Sequence, residues 1–166
     1  MAKPAKKSVD PTSRDVAVNR RAPHDYEILD RIDAGIALTG SEIKSVRAGK
    51  VSLQEAYARP DKGEVWLIGA HIAEYGPASY NGHEPRRSRR LLLHRSQIRE
   101  IEREVEAKGL TLVPLKLYLN KRGLAKVQLA IARGRRQYDK RAAIAKRDVD
   151  REVQRALRER TRAASR

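Results

Sequence analysis

Short strand-like segments set off by turn residues, two modest helical stretches and no alternating βαβ rhythm predict a mainly β protein with short helices. The chain has 166 residues, room for one domain with appendages. Its formal net charge is +16, with a pI near 10.6. A surface this positive attracts phosphate backbones and releases their counterions. Cys and Phe are absent and Trp66 stands alone, so Leu, Ile, Val and Ala must build the core.

Residues 1–18 are rich in Lys, Pro, Ser and Asp without periodicity and read as a disordered arm. From Tyr26 to Leu38, apolar residues fall at even spacing (Tyr26, Ile28, Ile32, Ile36, Leu38), with Asp30 as the exception. That pattern predicts one kinked strand, or two strands bent near Ala34 and Gly35. Gly40-Ser41 offers an N-cap for a helix over Glu42–Ala48, closed by Gly49. Leu53–Arg59 and Val65–Ala70 flank the turn signal Pro60-Asp61-Lys62-Gly63, and His71–Tyr75 suits a further strand. Gly76 to Arg90 reads as a loop ending in arginines 86, 87, 89 and 90. Ser96 is placed to cap a helix running to about Lys108, with Ile98, Ile101 and Val105 inward and Gly109 as the stop. Leu112–Leu119 and Leu124–Ala132 form the clearest hairpin, turning at Lys121-Arg122-Gly123. Leu115, Leu117 and Leu119 are expected to meet Val127, Leu129 and Ile131, leaving Lys126 and Gln128 outward. These elements predict a small antiparallel OB-like β-barrel over 19–132, followed by a basic C-terminal tail over 133–166.

In that tail, 34 residues carry 13 Lys and Arg against 5 Asp and Glu. Ile144, Val149, Val153 and Leu157 make a loose apolar stripe, too weak for a free helix in water but suited to one that forms on a polyanion. Tyr138 and Asp139 interrupt the charge, as a contact stacking on a base would allow and a bare phosphate clamp would not need. In the helix at 40–50, Arg47 and Lys50 are candidates for phosphate contacts, beside the plainer reading of a helix plugging the barrel end. The dense arginines, Arg89 and Arg90 among them, repel one another unless an anion arrives; a flexible loop without a defined partner is the alternative. Lys126 is a candidate for backbone contact.

Enzyme chemistry finds little support. His24, His71, His83 and His94 are scattered, with no ligand spacing and no Cys beside them, so neither a metal nor a cofactor is expected. Glu100, Glu102 and Glu104 read as a solvated helix face. No apolar run is long enough to span a membrane, and MAKPAKKSVDPTSR lacks the apolar segment of a secretory signal. With no Cys, a cytoplasmic location is expected. A general RNA chaperone or ribosomal protein, and a nuclease using His24 or His94, remain as other readings at this point.

NRRAPHDYEI (19–28), AGIALTGSEIKSVRAGKVSL (34–53), RRSRRLLL and LYLNKRGLAKVQLAIARGRRQYDKR (117–141), in this order, resemble the SmpB family, the tmRNA-binding proteins of bacterial trans-translation. The resemblance runs from Asn19 nearly to the end. It implies an OB-like barrel bound to the tRNA-like domain of tmRNA and a tail unstructured in the free protein. Elongation factor Tu with GTP would share the delivery complex, and the 70S ribosome, stalled without a codon, would be the destination. The tail would fold into a helix in the empty mRNA channel, and the unfinished protein would be tagged for degradation. The implied tmRNA-binding residues are Asn19, with Arg20 beside it, Tyr26, Asp33, Arg47, Leu92 and Lys126, joined by Lys50, Arg89 and Arg90 from the charge reading. Gly134, Arg135, Arg136, Tyr138, Asp139, Lys140 and Arg141, with Lys146 and Arg147, would lie at the decoding centre and along the channel. The chain departs from the family in two places: Tyr138 stands where His is common, and Asp33 where Glu is common.

Overall fold

Extended segments dominate the computed structural model, which describes residues 13–76 and 82–135. In chain order they are β1 (Arg14–Val18), α1 (Ala22–Asp25), β2 (Tyr26–Ile36), α2 (Gly40–Arg47), β3 (Val51–Ser52) and β4 (Tyr57–Asp61). Then come β5 (Glu64–Ile68), β6 (His71–Ile72), β7 (Arg89–Leu92), α3 (Arg95–Lys108), β8 (Thr111–Leu119) and β9 (Ala125–Gly134). All pairings are antiparallel. The order β8-β4-β5-β7-β2-β9 closes on itself because β9 also pairs with β8, making a six-stranded barrel; β1 adds to β8 outside the ring, and β3 pairs with β6 apart from it. Closure leaves the ring strands without a free edge.

Local chemistry sets the turns. Lys62 and Gly63 both have positive φ (49° and 76°), giving the β4–β5 hairpin the two left-handed residues whose twist matches its strands. In the β8–β9 turn the Asn120 carboxamide oxygen accepts from the N–H groups of Arg122 (3.0 Å) and Leu124 (2.9 Å), satisfying the tip from within.

The barrel interior holds Ala34 and Ile36 of β2, Ala58 of β4, Val65 and Leu67 of β5, Leu91 of β7, and Leu112, Leu117, Val127 and Leu129 of β8 and β9, plugged by Val46 of α2 and Ile98 and Ile101 of α3. A second, smaller cluster lies on the other face of β2, β8 and β9. There Val113, Leu115, Ala130 and Ala132 pack under Ala22 of α1, with Tyr26 and Ile28 against them. Two register shifts opposite β9 create this division, one between Ile28 and Asp30, the other between Pro114 and Lys116. An extra residue inverts which face the following side chains take. Tyr26 and Ile28 therefore serve the outer cluster while Ile32 and Ile36 serve the barrel, and Leu29 at the shift is 48% exposed.

The shifts correct two expectations. Residues 26–36 form the one kinked strand of the two alternatives, but its residues do not share one face, and the irregularity lies at Leu29 rather than at Ala34-Gly35. Leu115 joins the outer cluster, whereas Leu117 pairs with Val127 as expected, and Leu119, opposite Ala125, shares the barrel core with Leu129 and Ile131. Five boundaries also move. Arg14–Val18, assigned to the disordered arm, pair with β8 because Val16 and Ala17 cover the core and Asp15 meets Lys116 at 2.8 Å. Helices α2 and α3 start earlier than expected, at Gly40 and Arg95, with Thr39 and His94 as the N-caps, whose N–H groups are accepted by Glu42 and Gln97 side chains three residues on. Arg89 and Arg90, read as loop, open β7. Strand β9 runs past Ala132 to Gly134, paired to Glu27 and Tyr26.

Gly69 has φ +76°, and a Cβ there would stand 2.9 Å from the Glu55 carbonyl oxygen; Gly63 has the same φ but open space around it. Gly69→Ala should therefore lower stability by about 2 kcal/mol or more, and Gly63→Ala by about 1 kcal/mol. Urea unfolding of the two variants checks this. Equal losses would show that the Glu55 carbonyl imposes no constraint.

Candidate nucleic-acid interface

Every arginine of the 86–90 run faces a carboxylate. The Glu42 side chain, on the first turn of α2, is fully buried. It accepts from Thr39 N–H (2.8 Å), from Arg87 Nε and Nη2 (2.7 and 2.6 Å), and from Arg89 Nε (2.8 Å). Arg89, also fully buried, donates further to the carbonyls of Ala70, Arg87 and Pro85 at 2.8–3.0 Å. Burial by itself would raise the Glu42 pKa; the Arg87 hydrogen bonds, the Thr39 N–H and the Arg89 charge overcome that and hold it at about 2. The two arginines move in opposite directions. Burial lowers Arg89, while the Glu42 hydrogen bond raises Arg87, and both keep their charge at neutral pH. At the surface, Arg86 meets Glu55 at 3.3 Å and Arg90 meets Glu64 at 2.9 Å.

This corrects the expectation that the run awaits an anion. Its like charges are relieved internally, by α2, by the segment before β4 and by β5. Arg89 in particular is a buried strut with no surface to offer RNA. Asn19 is likewise turned inward. Only 4% exposed, it donates from Nδ2 to the Leu53 and Pro114 carbonyls and accepts from Ala22 N–H, each at 3.2 Å, so its side chain joins α1 to β8.

Other sequence candidates converge. Gly35 of β2 pairs with Leu92 of β7 on one side and Lys126 of β9 on the other, and Lys126 pairs with Tyr118 of β8. Two residues along, Asp33 pairs with Gln128, whose amide donates to its carboxylate at 3.4 Å. Because Ala34, Leu91 and Val127 point into the barrel, Asp33, Leu92 and Lys126 share its outer face. Leu92 is 51% exposed, and Gly35 fits beneath it: a Cβ there would stand 3.1 Å from Leu92 Cβ. Arg47 and Lys50 are exposed at the end of α2 and just beyond. Among the described residues neither they nor Lys126 is ion-paired, unlike the arginine run.

Arg20 is exposed but lies away from this row, beside α1. Tyr26 lines a separate cleft of about 230 Å³ with Arg21, Gln54 and Tyr57. Gly134 closes β9, and Arg135 is half-buried after it. Arg136, Tyr138, Asp139, Lys140, Arg141, Lys146 and Arg147 lie outside the described residues. Sequence reasoning missed Glu42, although Glu three residues after Thr39 is the signal of a capping box. Among the described residues no group of acidic or His side chains could hold a metal ion, and no helix is long and apolar enough to cross a membrane.

Comparison with known proteins identifies a family. The family described as SmpB protein matches residues 16–159. The chain is 54% identical over 145 residues to an SsrA-binding protein of Moorella thermoacetica, covering 87% of this chain and 94% of that one. An SsrA-binding protein of Roseiflexus sp. is 55% identical over 150 residues, covering 90% and 94%. Among solved structures, one described as "tmRNA-SmpB: a journey to the center of the bacterial ribosome" is 52% identical, with TM-score 0.62, covering 76% of this chain and 92% of that one.

The Glu42 geometry sets an acid limb. Its pKa drops from an ordinary 4.5 to about 2 on folding, so the stabilisation is complete above about pH 4.5 and is lost as pH falls toward 2. The shift corresponds to about 3 kcal/mol. Glu42→Gln should cost about 3–5 kcal/mol at neutral pH, by leaving Arg89 buried without its anion, and should flatten the loss between pH 4.5 and 2. Urea unfolding across that range checks both. An acid limb as steep in the variant would assign the loss to other carboxylates.

Proposed function

Because this chain belongs to the SmpB family, whose members bind RNA and are not enzymes, we propose that it binds the tRNA-like domain of tmRNA, the SsrA RNA, on its outer barrel face and brings it to stalled ribosomes for trans-translation. The observation that carries this is the register placing Leu92, Gly35 and Lys126 side by side, with Asp33 and Gln128 in the next row. Strands lie about 4.8 Å apart, so three of them present a platform about 10 Å wide. Lys126, without an ion pair among the described residues, supplies a cation for a phosphate, Leu92 an apolar surface for a ribose or base, and the Asp33–Gln128 pair a fixed set of hydrogen-bonding groups. Asp33 would repel phosphate, so it orients Gln128 or accepts from a base edge. Arg47 and Lys50 add charge from α2.

The tail beyond Arg135 takes a different part. Its excess of Lys and Arg over acidic residues suits an RNA-lined channel, and Tyr138-Asp139-Lys140-Arg141 mixes an aromatic ring with charge where a decoding site would be contacted. In this reading the tail folds as a helix in the empty mRNA channel of the 70S ribosome, elongation factor Tu with GTP escorts the complex, and the work takes place in the cytoplasm. Tyr138 cannot become cationic as His can, so its contribution is stacking.

Strand β9 uses Arg133 and Gly134, so a clean division comes after Arg135. Truncation there should leave affinity for the tRNA-like fragment within about twofold and abolish tagging. Lys126→Ala in the full chain should weaken the fragment about tenfold at unchanged thermal melting, as loss of one phosphate contact predicts. Gel shifts, a reconstituted tagging assay and melting curves check this. Parallel loss of binding and tagging on truncation would contradict the division between barrel and tail.

A further inference from the structure

Sequence reasoning used Lys121-Arg122-Gly123 only as a hairpin turn, yet the structure gives this turn features that turning alone does not require. Lys121 and Arg122 are both exposed, and among the described residues neither meets a carboxylate. Leu124 beside them is 56% exposed, the most open of the large apolar side chains described. The backbone beneath is fixed: Asn120 N–H donates to Leu124 O (3.0 Å), Gly123 N–H donates to Asn120 O (2.9 Å), and the Asn120 side chain closes the tip. Arg47 reaches in from α2, its Nη2 3.8 Å from where a Gly123 Cβ would stand. Three cations from two elements thus gather around one rigid turn, and the turn runs directly into Lys126 through Leu124 and Ala125.

Arginines 86, 87, 89 and 90 show what this fold does with cations it keeps for itself. Each has a carboxylate within 3.3 Å. Among the described residues Arg47, Lys121 and Arg122 have none, and like charges held together without a counterion favour an anion from outside. We propose that the β8–β9 turn, through Lys121 and Arg122 with Arg47 behind it, grips the sugar–phosphate backbone of the same RNA that lies across Lys126. Leu124 supplies apolar contact to that backbone's sugars. The rigid tip presents both charges without the ordering cost of a flexible loop. This rests on the RNA-binding reading of the barrel face and extends it by one edge.

Salt dependence of binding separates a phosphate contact from a structural role. Affinity of the full chain for the tRNA-like fragment should be measured over a salt series for wild type, for Lys121→Gln/Arg122→Gln and for the charge-preserving Lys121→Arg/Arg122→Lys. The Gln pair should reduce the slope of log K against log salt by about 2 and weaken binding about tenfold or more near 0.1 M salt. The charge-preserving pair should keep both, and melting should be unchanged in each. A Gln pair with wild-type slope and affinity would overturn the proposal while leaving the Lys126 face intact. Unchanged fragment binding with weakened ribosome association would overturn it too, giving the turn to ribosomal RNA. Absence of fragment binding by the wild type would overturn the reading of the face itself, and the turn with it.

Discussion

One buried carboxylate organises this barrel. Glu42 joins the start of α2 to Arg87 and to Arg89 on β7, while Arg89 continues to the carbonyls of Ala70 and Pro85. Removing a carboxylate and a guanidinium from water costs several kcal/mol each, and mutual attraction offsets this only where geometry is good and the remaining polar groups are satisfied. Here the carboxylate accepts four hydrogen bonds and the buried guanidinium donates four. The gain over an apolar plug is specificity of position. Helix α2, which carries Arg47 toward the β8–β9 turn, and β7, which carries Leu92, are tied to a single point.

That tie also sorts the charge. A net of +16 invites the view that any arginine-rich stretch is the binding surface, but the densest short run is the one most fully neutralised from within. Among the described residues, several cations without carboxylates, Arg47, Lys50, Lys121, Arg122 and Lys126, stand on the end of α2, the β8–β9 turn and β9. Pairing, rather than local density, decides where phosphate is attracted.

Much of the fold was legible because it is locally encoded. The β8–β9 hairpin announces itself through alternation around Lys121-Arg122-Gly123, and α3 through its Ile98, Ile101 and Val105 stripe with Gly109 in the left-handed conformation after it. The barrel followed from many short strands without crossover helices. The register shifts at Leu29 and Leu115 did not, because an extra residue inverts the facing of all that follows; Pro114, which cannot donate to the ladder, marks the second, and nothing marks the first. Nor did the fate of the arginines. Their partners lie 26 to 47 residues away, beyond any periodicity, and the same text reads equally as a binding loop or a satisfied network. Asn19 misleads for the same reason, since its partners at Leu53 and Pro114 are distant in sequence. Asp33 and Leu92 came from resemblance and Lys126 also from its outward place on the hairpin; register sets the three on one face.

The most direct test compares two pairs of cations for their share in RNA binding: Arg86→Gln/Arg90→Gln, which removes paired surface arginines, and Arg47→Gln/Lys126→Gln, which removes unpaired ones. Each double variant would be titrated with the tRNA-like fragment across a salt series. If pairing sorts the charges, the first keeps a wild-type slope of log K against log salt and the second loses about 2 from it. Equal losses in both would mean that RNA sees only the summed charge of the barrel, and the internal pairing would have no bearing on function.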